Sequence, residues 1–262
     1  MMTLADNDAL IDVAAAGGVL RIGINRPAKL NAINRQMYSD MTAALQRAEQ
    51  DDSIRVVLIH GTADCFTSGN DLRDFAQDPP TGQDSPVFHF LAAISQATKP
   101  LVAAVNGPAI GIGTTMLLHC DLVYAGESAK FQTPFVNLGL CPEAASSLLL
   151  PQLIGHVRAA EMILLGQPFN AARACEAGLV NGVFPGNKVF QHALTQAQQL
   201  AKQPPAAVRL AKRLLKQSTA ATVPAVMAEE GQLFLERLGS PEAAEALDAF
   251  FDGRAADFSR FR

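Results

Sequence analysis

From Pro100 to Cys120 the chain carries no Asp, Glu, Lys or Arg, and this stretch restricts the fold more than any other. A segment so apolar either spans a membrane or is buried in a core, and as a helix it is long enough to cross a bilayer interior of about 30 Å. Asn106-Gly107-Pro108 lies inside it and breaks the helix, because Gly and Pro favour a turn and Pro lacks the N–H that a helix interior uses. The segment therefore reads as two short buried elements, a strand from Leu101 to Val105 and a short helix from Gly113 to His119. No membrane partner is expected.

Strand followed by helix is a recurring unit. Val19 to Ile24 alternates like a strand after the Gly17-Gly18 turn, and from about Asn34 the residues Met37, Met41, Leu45 and Ala48 fall on one helix face. Ile54 to His60 reads as a buried strand, Ser85 to Ala97 as a helix and Asp121 to Ala125 as another strand. This repetition predicts an α/β fold with strands inside and helices covering them. From about Ala144 the pattern becomes helical, with helices expected over Ala171 to Ala177, Lys188 to Lys202, Pro205 to Gln217, Val223 to Leu238 and Pro241 to Phe251. Gln203-Pro204-Pro205 reads as a helix break rather than a linker.

A chain of 262 residues, 49% of them hydrophobic and 18% charged, can bury one large core without a disulfide or metal staple. Its four cysteines, Cys65, Cys120, Cys141 and Cys175, form no CxxC pair and have no His at zinc spacing, which suits a reducing compartment and predicts no metal site. A net charge of −4 without a basic stripe argues against a nucleic-acid partner. MMTLADNDALIDV lacks a basic region followed by an apolar core, and FSRFR is not a peroxisomal tripeptide, so a cytoplasmic location is expected.

Three features point to chemistry. The cluster NGPAIGIGTT, Asn106 to Thr115, matches neither GxGxxG nor the P-loop, so phosphate cradling is not expected there. It reads either as a close-packed strand-to-helix corner or as a corner whose unpaired helix N–H groups hold developing negative charge. FTSGNDL, Phe66 to Leu72, follows the buried strand and can expose further backbone N–H groups. Between Lys130 and Arg158 the one Asp, Glu, Lys or Arg is Glu143. It reads either as a first-turn glutamate of a helix from Ala144 to Leu150 or as a buried acid with a raised pKa, suited to taking and returning a proton. His119 and Cys120 read as packed core groups, Asp71 as support for its loop, Glu127 as a solvated turn residue, and Phe250-Phe251 as core or subunit contact.

RPAKLNAI (Arg26 to Ile33), FTSGNDL, AVNGPAIGIG (Ala104 to Gly113), CDLVYAGESAKFQTPF (Cys120 to Phe135) and LGLCPEAASSLLLPQLIG (Leu138 to Gly155) together resemble the enoyl-CoA hydratase/isomerase, or crotonase, superfamily. The resemblance covers nearly the whole chain. It implies a crotonase-like spiral of repeated ββα units over residues 1–200 and a C-terminal helical trimerisation region over residues 201–262. It also implies an acyl-CoA thioester substrate of fatty-acid β-oxidation chemistry, no separate cofactor, since coenzyme A is part of the substrate, and a homotrimer or dimer of trimers.

Carried over residue by residue, the oxyanion donors are the backbone N–H groups of Asn70 and Ile112, with Gly111 as a one-residue alternative. In comparable sites each such donor contributes about 3–4 kcal/mol to the transition state. The resemblance lays coenzyme A along Ala28, Lys29 and the loop Ser68, Gly69, Asn70, Asp71 and Leu72, with Arg26 and Lys29 supplying positive charge. It also allows Phe250-Phe251 or Arg254 to reach coenzyme A from an adjacent subunit.

Where a hydratase of this superfamily has its two glutamates, this chain has Thr115 and Phe135. Neither exchanges a proton at neutral pH, so Glu143 is the remaining acid. The pattern around it resembles the monofunctional Δ3,Δ2-enoyl-CoA isomerases, in which a PE glutamate is the one base. Isomerisation with Glu143 as proton shuttle is therefore expected, with Phe135, Leu138 and Leu140 as apolar walls. Two alternatives remain: a hydratase or other crotonase-type lyase or hydrolase in which Glu143 activates water, and a non-catalytic acyl-CoA-binding subunit.

Overall fold

Gly17 and Gly18, at φ 60° and 80°, make the two-residue turn that joins β1 (Ile11–Ala16) to β2 (Val19–Ile24) as an antiparallel hairpin. Such a turn needs positive φ at both central residues, which glycine adopts without strain. The computed structural model describes residues 9–82 and 84–261 of the chain. Helix α1 (Arg35–Gln50), capped by the Asn34 side chain, returns to β3 (Val56–His60). Next come α2 (Leu72–Gln77), α3 (Pro86–Gln96) and β4 (Leu101–Val105).

The uncharged segment divides at Asn106-Gly107, as its turn predicts. β5 (Pro108–Ile110) follows, then α4 (Ile112–Thr115), which continues as a 3-10 turn over Met116–His119. β6 (Leu122–Gly126), β7 (Lys130–Gln132), α5 (Ser146–Ile154), α6 (His156–Leu165), β8 (Phe169–Asn170), α7 (Ala171–Glu176) and β9 (Gly182–Phe184) complete the strand-bearing part. Four helices follow: α8 (Gly186–Ala201), α9 (Pro205–Leu215), α10 (Thr222–Leu238) and α11 (Pro241–Asp252).

The strands form a six-stranded sheet, ordered β1-β2-β3-β4-β6-β9 and parallel from β2 onward, and a three-stranded sheet ordered β5-β7-β8. Successive residues of a strand face opposite sides, and both sides of the large sheet are covered. Leu20, Ile22, Val57, Ile59, Leu101, Ala103 and Val105 share a core with Met37, Met41, Leu45 and Ala48 of α1. Val19, Val56, Leu58, Val102 and Ala104 meet Val189, Ala193 and Ala197 of α8. This is why β2 departs from the expected alternation: all its residues except Arg21 are buried.

The last helices are tied to the sheet. Lys212 of α9 is buried, donates to the Lys99 carbonyl at 2.7 Å and pairs with Asp121 at 2.8 Å, at the start of β6. α10 packs across α3 and α5. No described helix is long and apolar enough to cross a membrane.

Candidate active site

Because β2, β3 and β4 run parallel, the loops that follow them leave the sheet at one edge, where open α/β folds place their sites. The loop after β2 and the loop after β3 are stitched together by Asn31. Its side chain donates to the Cys65 carbonyl at 2.7 Å and accepts from Arg26 N–H at 2.8 Å, and its carbonyl accepts from Thr67 Oγ1 at 2.7 Å. Ser68 N–H donates to Leu30 O at 3.0 Å. The loop after β3 then lies on the turn after β4: Thr67 N–H donates to Pro108 O at 2.9 Å and Ile110 N–H to Thr67 O at 3.0 Å. At Gly69, with φ 94°, a Cβ would stand 2.9 Å from the Ile110 carbonyl oxygen, so any side chain there would separate the two corners.

The amides of these corners divide clearly. Gly69 N–H donates to Thr67 Oγ1 at 3.0 Å and Asp71 N–H to Ile33 O at 2.9 Å, but the Asn70 N–H between them has no acceptor among the described residues. In the second corner Gly111 N–H donates to Gln132 O at 2.8 Å, which removes Gly111 as the alternative donor. The Ile112 and Gly113 amides open α4 and have no acceptor among the described residues. The Gly111 carbonyl accepts from Thr114 N–H at 2.9 Å and Thr115 N–H at 3.0 Å. The peptide is trans, so the Ile112 N–H points the opposite way, out of the helix.

Glu143 sits just outside α5. The helix begins at Ser146 rather than Ala144, since Ala144 and Ala145 both adopt left-handed backbone, at φ 60° and 54°. For alanine this conformation costs about 1–2 kcal/mol per residue. The turn removes Glu143 from the first helical turn and buries its carboxyl, 5% exposed. There it accepts from Thr115 Oγ1 at 3.1 Å, and the same hydroxyl lies 3.3 Å from the Gly111 carbonyl. Thr115 can donate to a carboxylate, or accept from the protonated acid while donating to Gly111, so it serves both protonation states. Glu143 is thus one hydroxyl away from the peptide that carries the Ile112 N–H.

Burial raises the Glu143 pKa to about 7; the Glu230 charge adds to the rise and the Thr115 hydrogen bond opposes it. Both forms of the acid are therefore populated near neutrality. The side chain borders a cavity of about 10 Å³ lined by Phe75 of α2, Val87, Phe88 and Leu91 of α3, and Met227 and Phe234 of α10. That volume is about one water molecule. The expected walls do not line the cavity directly: Phe135 and Leu140 pack behind it, in one apolar cluster with its lining residues Phe75 and Phe234, and Leu138 ends the 3-10 turn Val136–Leu138.

Several expected roles change. Arg26 is not a free cation: its guanidinium pairs with Asp71 at 2.8 Å and donates to Ala32 O at 2.9 Å. Asp71 in turn caps α2, accepting from Arg73 and Asp74 N–H, and Arg26 holds its carboxyl below the usual range against the effect of burial. Ala28 and Lys29 are exposed on a 3-10 turn, while Ser68 and Leu72 are half-buried. Phe250 and Phe251 are 59% and 41% exposed, so they are not core. Arg254 is bound within its own chain by Glu245 and Asp252. Cys120 is half-buried and Glu127 exposed.

His119 is buried, and its Nε2 lies 2.9 Å from the Ala144 carbonyl, which can only accept, so Nε2 carries the proton. Burial pushes its pKa to about 4, leaving the ring neutral as a brace for the Glu143 turn. Tyr38 of α1 donates to the Asn70 side chain, and its phenol pKa is raised by burial and by Glu143. Asn31, Tyr38 and the bracing role of His119 are missed by sequence reasoning, since each acts on a partner at least 25 residues away. Together the parts provide a carboxyl able to exchange a proton near neutrality, sheltered by apolar side chains, beside main-chain amides with no internal acceptor.

Such a fold is that of the enoyl-CoA hydratase/isomerase family, the crotonase superfamily, and the chain belongs to it: the family's sequence model matches residues 14–260. Among its relatives is human enoyl-CoA delta isomerase 2, 38% identical over 93% of this chain. This chain spans 63% of that protein's length. A second, the 2,3-dehydroadipyl-CoA hydratase of Escherichia coli, is 37% identical over 92% of this chain and 94% of its own. The crystal structure of an enoyl-CoA hydratase/isomerase from Pseudoalteromonas atlantica superposes with a TM-score of 0.91 at 45% identity, covering 95% of this chain and all of that one.

Proposed function

We propose that the protein is an acyl-CoA-processing enzyme, a Δ3,Δ2-enoyl-CoA isomerase with Glu143 as its single proton shuttle. The observation that carries this reading is the buried Glu143 carboxyl, with a pKa near 7, held by threonine where a hydratase has a glutamate. In its ionised form Glu143 takes a proton from C2 of a 3-enoyl thioester. The C2–H electron pair moves into a dienolate whose negative oxygen is the thioester oxygen, received by the N–H groups of Asn70 and Ile112. Glu143 then returns the proton to C4, and the double bond lies between C2 and C3. No water is consumed, and the apolar cover of Glu143 keeps solvent from adding to the product.

Coenzyme A would lie along Ala28, Lys29 and Ser68 to Leu72, with Lys29 as the available cation, since Arg26 is engaged by Asp71. Exposed Val157, Leu164, Leu165, Leu214 and Leu215 support self-association, as a homotrimer or a dimer of trimers, in a cytoplasmic setting. A second reading, hydration with Glu143 activating water, is favoured by the water-sized cavity beside it and by the hydratase relative of matching length.

Separate incubations with 3-hexenoyl-CoA and crotonyl-CoA distinguish the two. Isomerisation creates conjugated-enoyl absorbance from the first; hydration removes it from the second. Glu143→Gln should abolish the first reaction while thioester binding persists, and retained turnover would remove Glu143 from the mechanism.

A further inference from the structure

Glu230 takes no part in the chemistry above, yet it is one of the few buried carboxylates in the described chain. It sits on α10, and its two oxygens are filled by the segment that follows Glu143. Ala145 N–H donates to Oε2 at 2.6 Å, and Ser147 N–H and Oγ donate to Oε1 at 3.0 and 2.5 Å. Ala145 is the N-cap position of α5 and has no capping side chain of its own, so a carboxylate 85 residues away supplies the cap. The clamp lands on the left-handed Ala144-Ala145 turn, whose other side His119 braces through the Ala144 carbonyl. Residues three and four apart share a helix face, and Met227, Glu230, Gly231 and Phe234 do so on α10. One face of this helix therefore carries both the clamp and part of the cavity wall. At Gly231 a Cβ would meet Phe88 Cε1 at 2.9 Å, so α10 lies close against α3 over Glu143.

We propose that Glu230 is a positioning residue for Glu143: it holds the Glu143-Ala144-Ala145 turn in reactive geometry and makes assembly of the base depend on the seating of α10. This rests on the reading of Glu143 as the base. With all three of its bonds directed to Ala145 and Ser147, Glu230 is a clamp and not a second catalytic acid.

The groups facing Glu143 are Thr115 from α4, Tyr38 from α1, Glu230 from α10 and, two residues back in its own segment, the Cys141 thiol, which burial keeps protonated. Those near Glu230 are Ser147, Glu229 and the Cys141 thiol, whose sulfur lies 3.8 Å from the Glu230 carbonyl. His119, between Ala144 and the lysines 212 and 216, is neutral. Of these, Glu230 and Thr115 alter the Glu143 proton affinity in opposite directions: the charge raises it and the hydroxyl lowers it.

The test compares Glu230→Gln, Glu230→Asp and Glu143→Gln in the full chain, using 3-hexenoyl-CoA kinetics from pH 5 to 9. Glu230→Gln keeps the shape but loses the charge and one acceptor. It should lower kcat about 10- to 100-fold with KM within about twofold, and move the acid limb of the rate profile to lower pH; Glu230→Asp should recover part of kcat. The limb shift follows from the lost charge alone, so the decisive readout is kcat on the pH plateau: a merely structural glutamate would change thermal stability and leave plateau kcat within about twofold of wild type, and that result overturns the proposal. Should Glu230→Gln fail to fold, Ser147→Ala, which removes one of the three bonds, decides: lowered kcat supports the clamp and unchanged kcat refutes it. An inactive Glu143→Gln beside a fully active Glu230→Gln sinks this inference alone, whereas an active Glu143→Gln sinks the assignment of the base.

Discussion

Replacing Thr115 by valine keeps the shape of a fully buried side chain and removes one oxygen, the one 3.1 Å from the Glu143 carboxyl and 3.3 Å from the Gly111 carbonyl. A hydrogen bond to a charged group contributes about 1.5–3 kcal/mol, and about 1.4 kcal/mol corresponds to one pKa unit. Without the hydroxyl, the Glu143 pKa should rise from about 7 to roughly 8–9. As the proposed base, Glu143 has to be ionised to accept the C2 proton. At pH 7 the ionised fraction would fall from about a half to between a tenth and a hundredth, lowering kcat about 5- to 50-fold. By pH 9 at least about half the acid is ionised again, so variant and wild type should come within about twofold of each other. The assay is the rise of conjugated-enoyl absorbance from 3-hexenoyl-CoA across pH 5 to 9, with KM measured at each pH. An unmoved acid limb in Thr115→Val, or one displaced to lower pH, would refute the reasoning.

Two further predictions concern stability. Burial holds the Glu143 pKa in the folded protein at about 7, above its ordinary value of 4.5, so folding favours its protonated form. This stability is fully present below about pH 4.5 and is lost as pH rises to 7, at a cost of about 3 kcal/mol above neutrality. Glu143→Gln removes the titration and should exceed wild type in denaturant stability by up to that amount at pH 8, with the difference closing by pH 4.5. Lys212→Ala leaves Asp121 only Lys216 and the Leu101 N–H as partners and unpins α9 from the Lys99 carbonyl, and should cost about 3 kcal/mol in urea unfolding at pH 7; a cost under about 1 kcal/mol would mean that water replaces the pair.

How far the sequence could be read depends on distance along the chain. β3, β4 and β6 and helices α1, α3 and α8 to α11 lie near their expected bounds, because each is announced by a local apolar pattern and a cap or turn. β1 belongs to a half-exposed edge, and β5, β7, β8 and β9 have three residues or fewer, too short for any period to register. α6 is cut from α5 only by Gly155. In the site, Asn70, Ile112 and Glu143 stand in recognisable local patterns, but what orients them does not. Asn31 stitches across 34 residues, Tyr38 reaches Asn70 across 32, and Glu230 caps Ala145 across 85. Arg26 looks like a free ligand cation in the sequence because its partner, Asp71, is 45 residues away. A helix start at Ala144 follows locally from Pro142 and a first-turn glutamate that suits the helix dipole; the left-handed turn found there instead is held by His119 and Glu230, which a local pattern does not contain.

The most direct measurement follows the proton itself. 3-Hexenoyl-CoA carrying deuterium at C2 is converted in ordinary water, and the trans-2-hexenoyl-CoA formed is analysed for label at C4. One carboxyl working under an apolar cover should deliver a measurable share of C2 deuterium to C4. A product with only protium at C4, or a 3-hydroxyacyl product in its place, would contradict a single Glu143 shuttle.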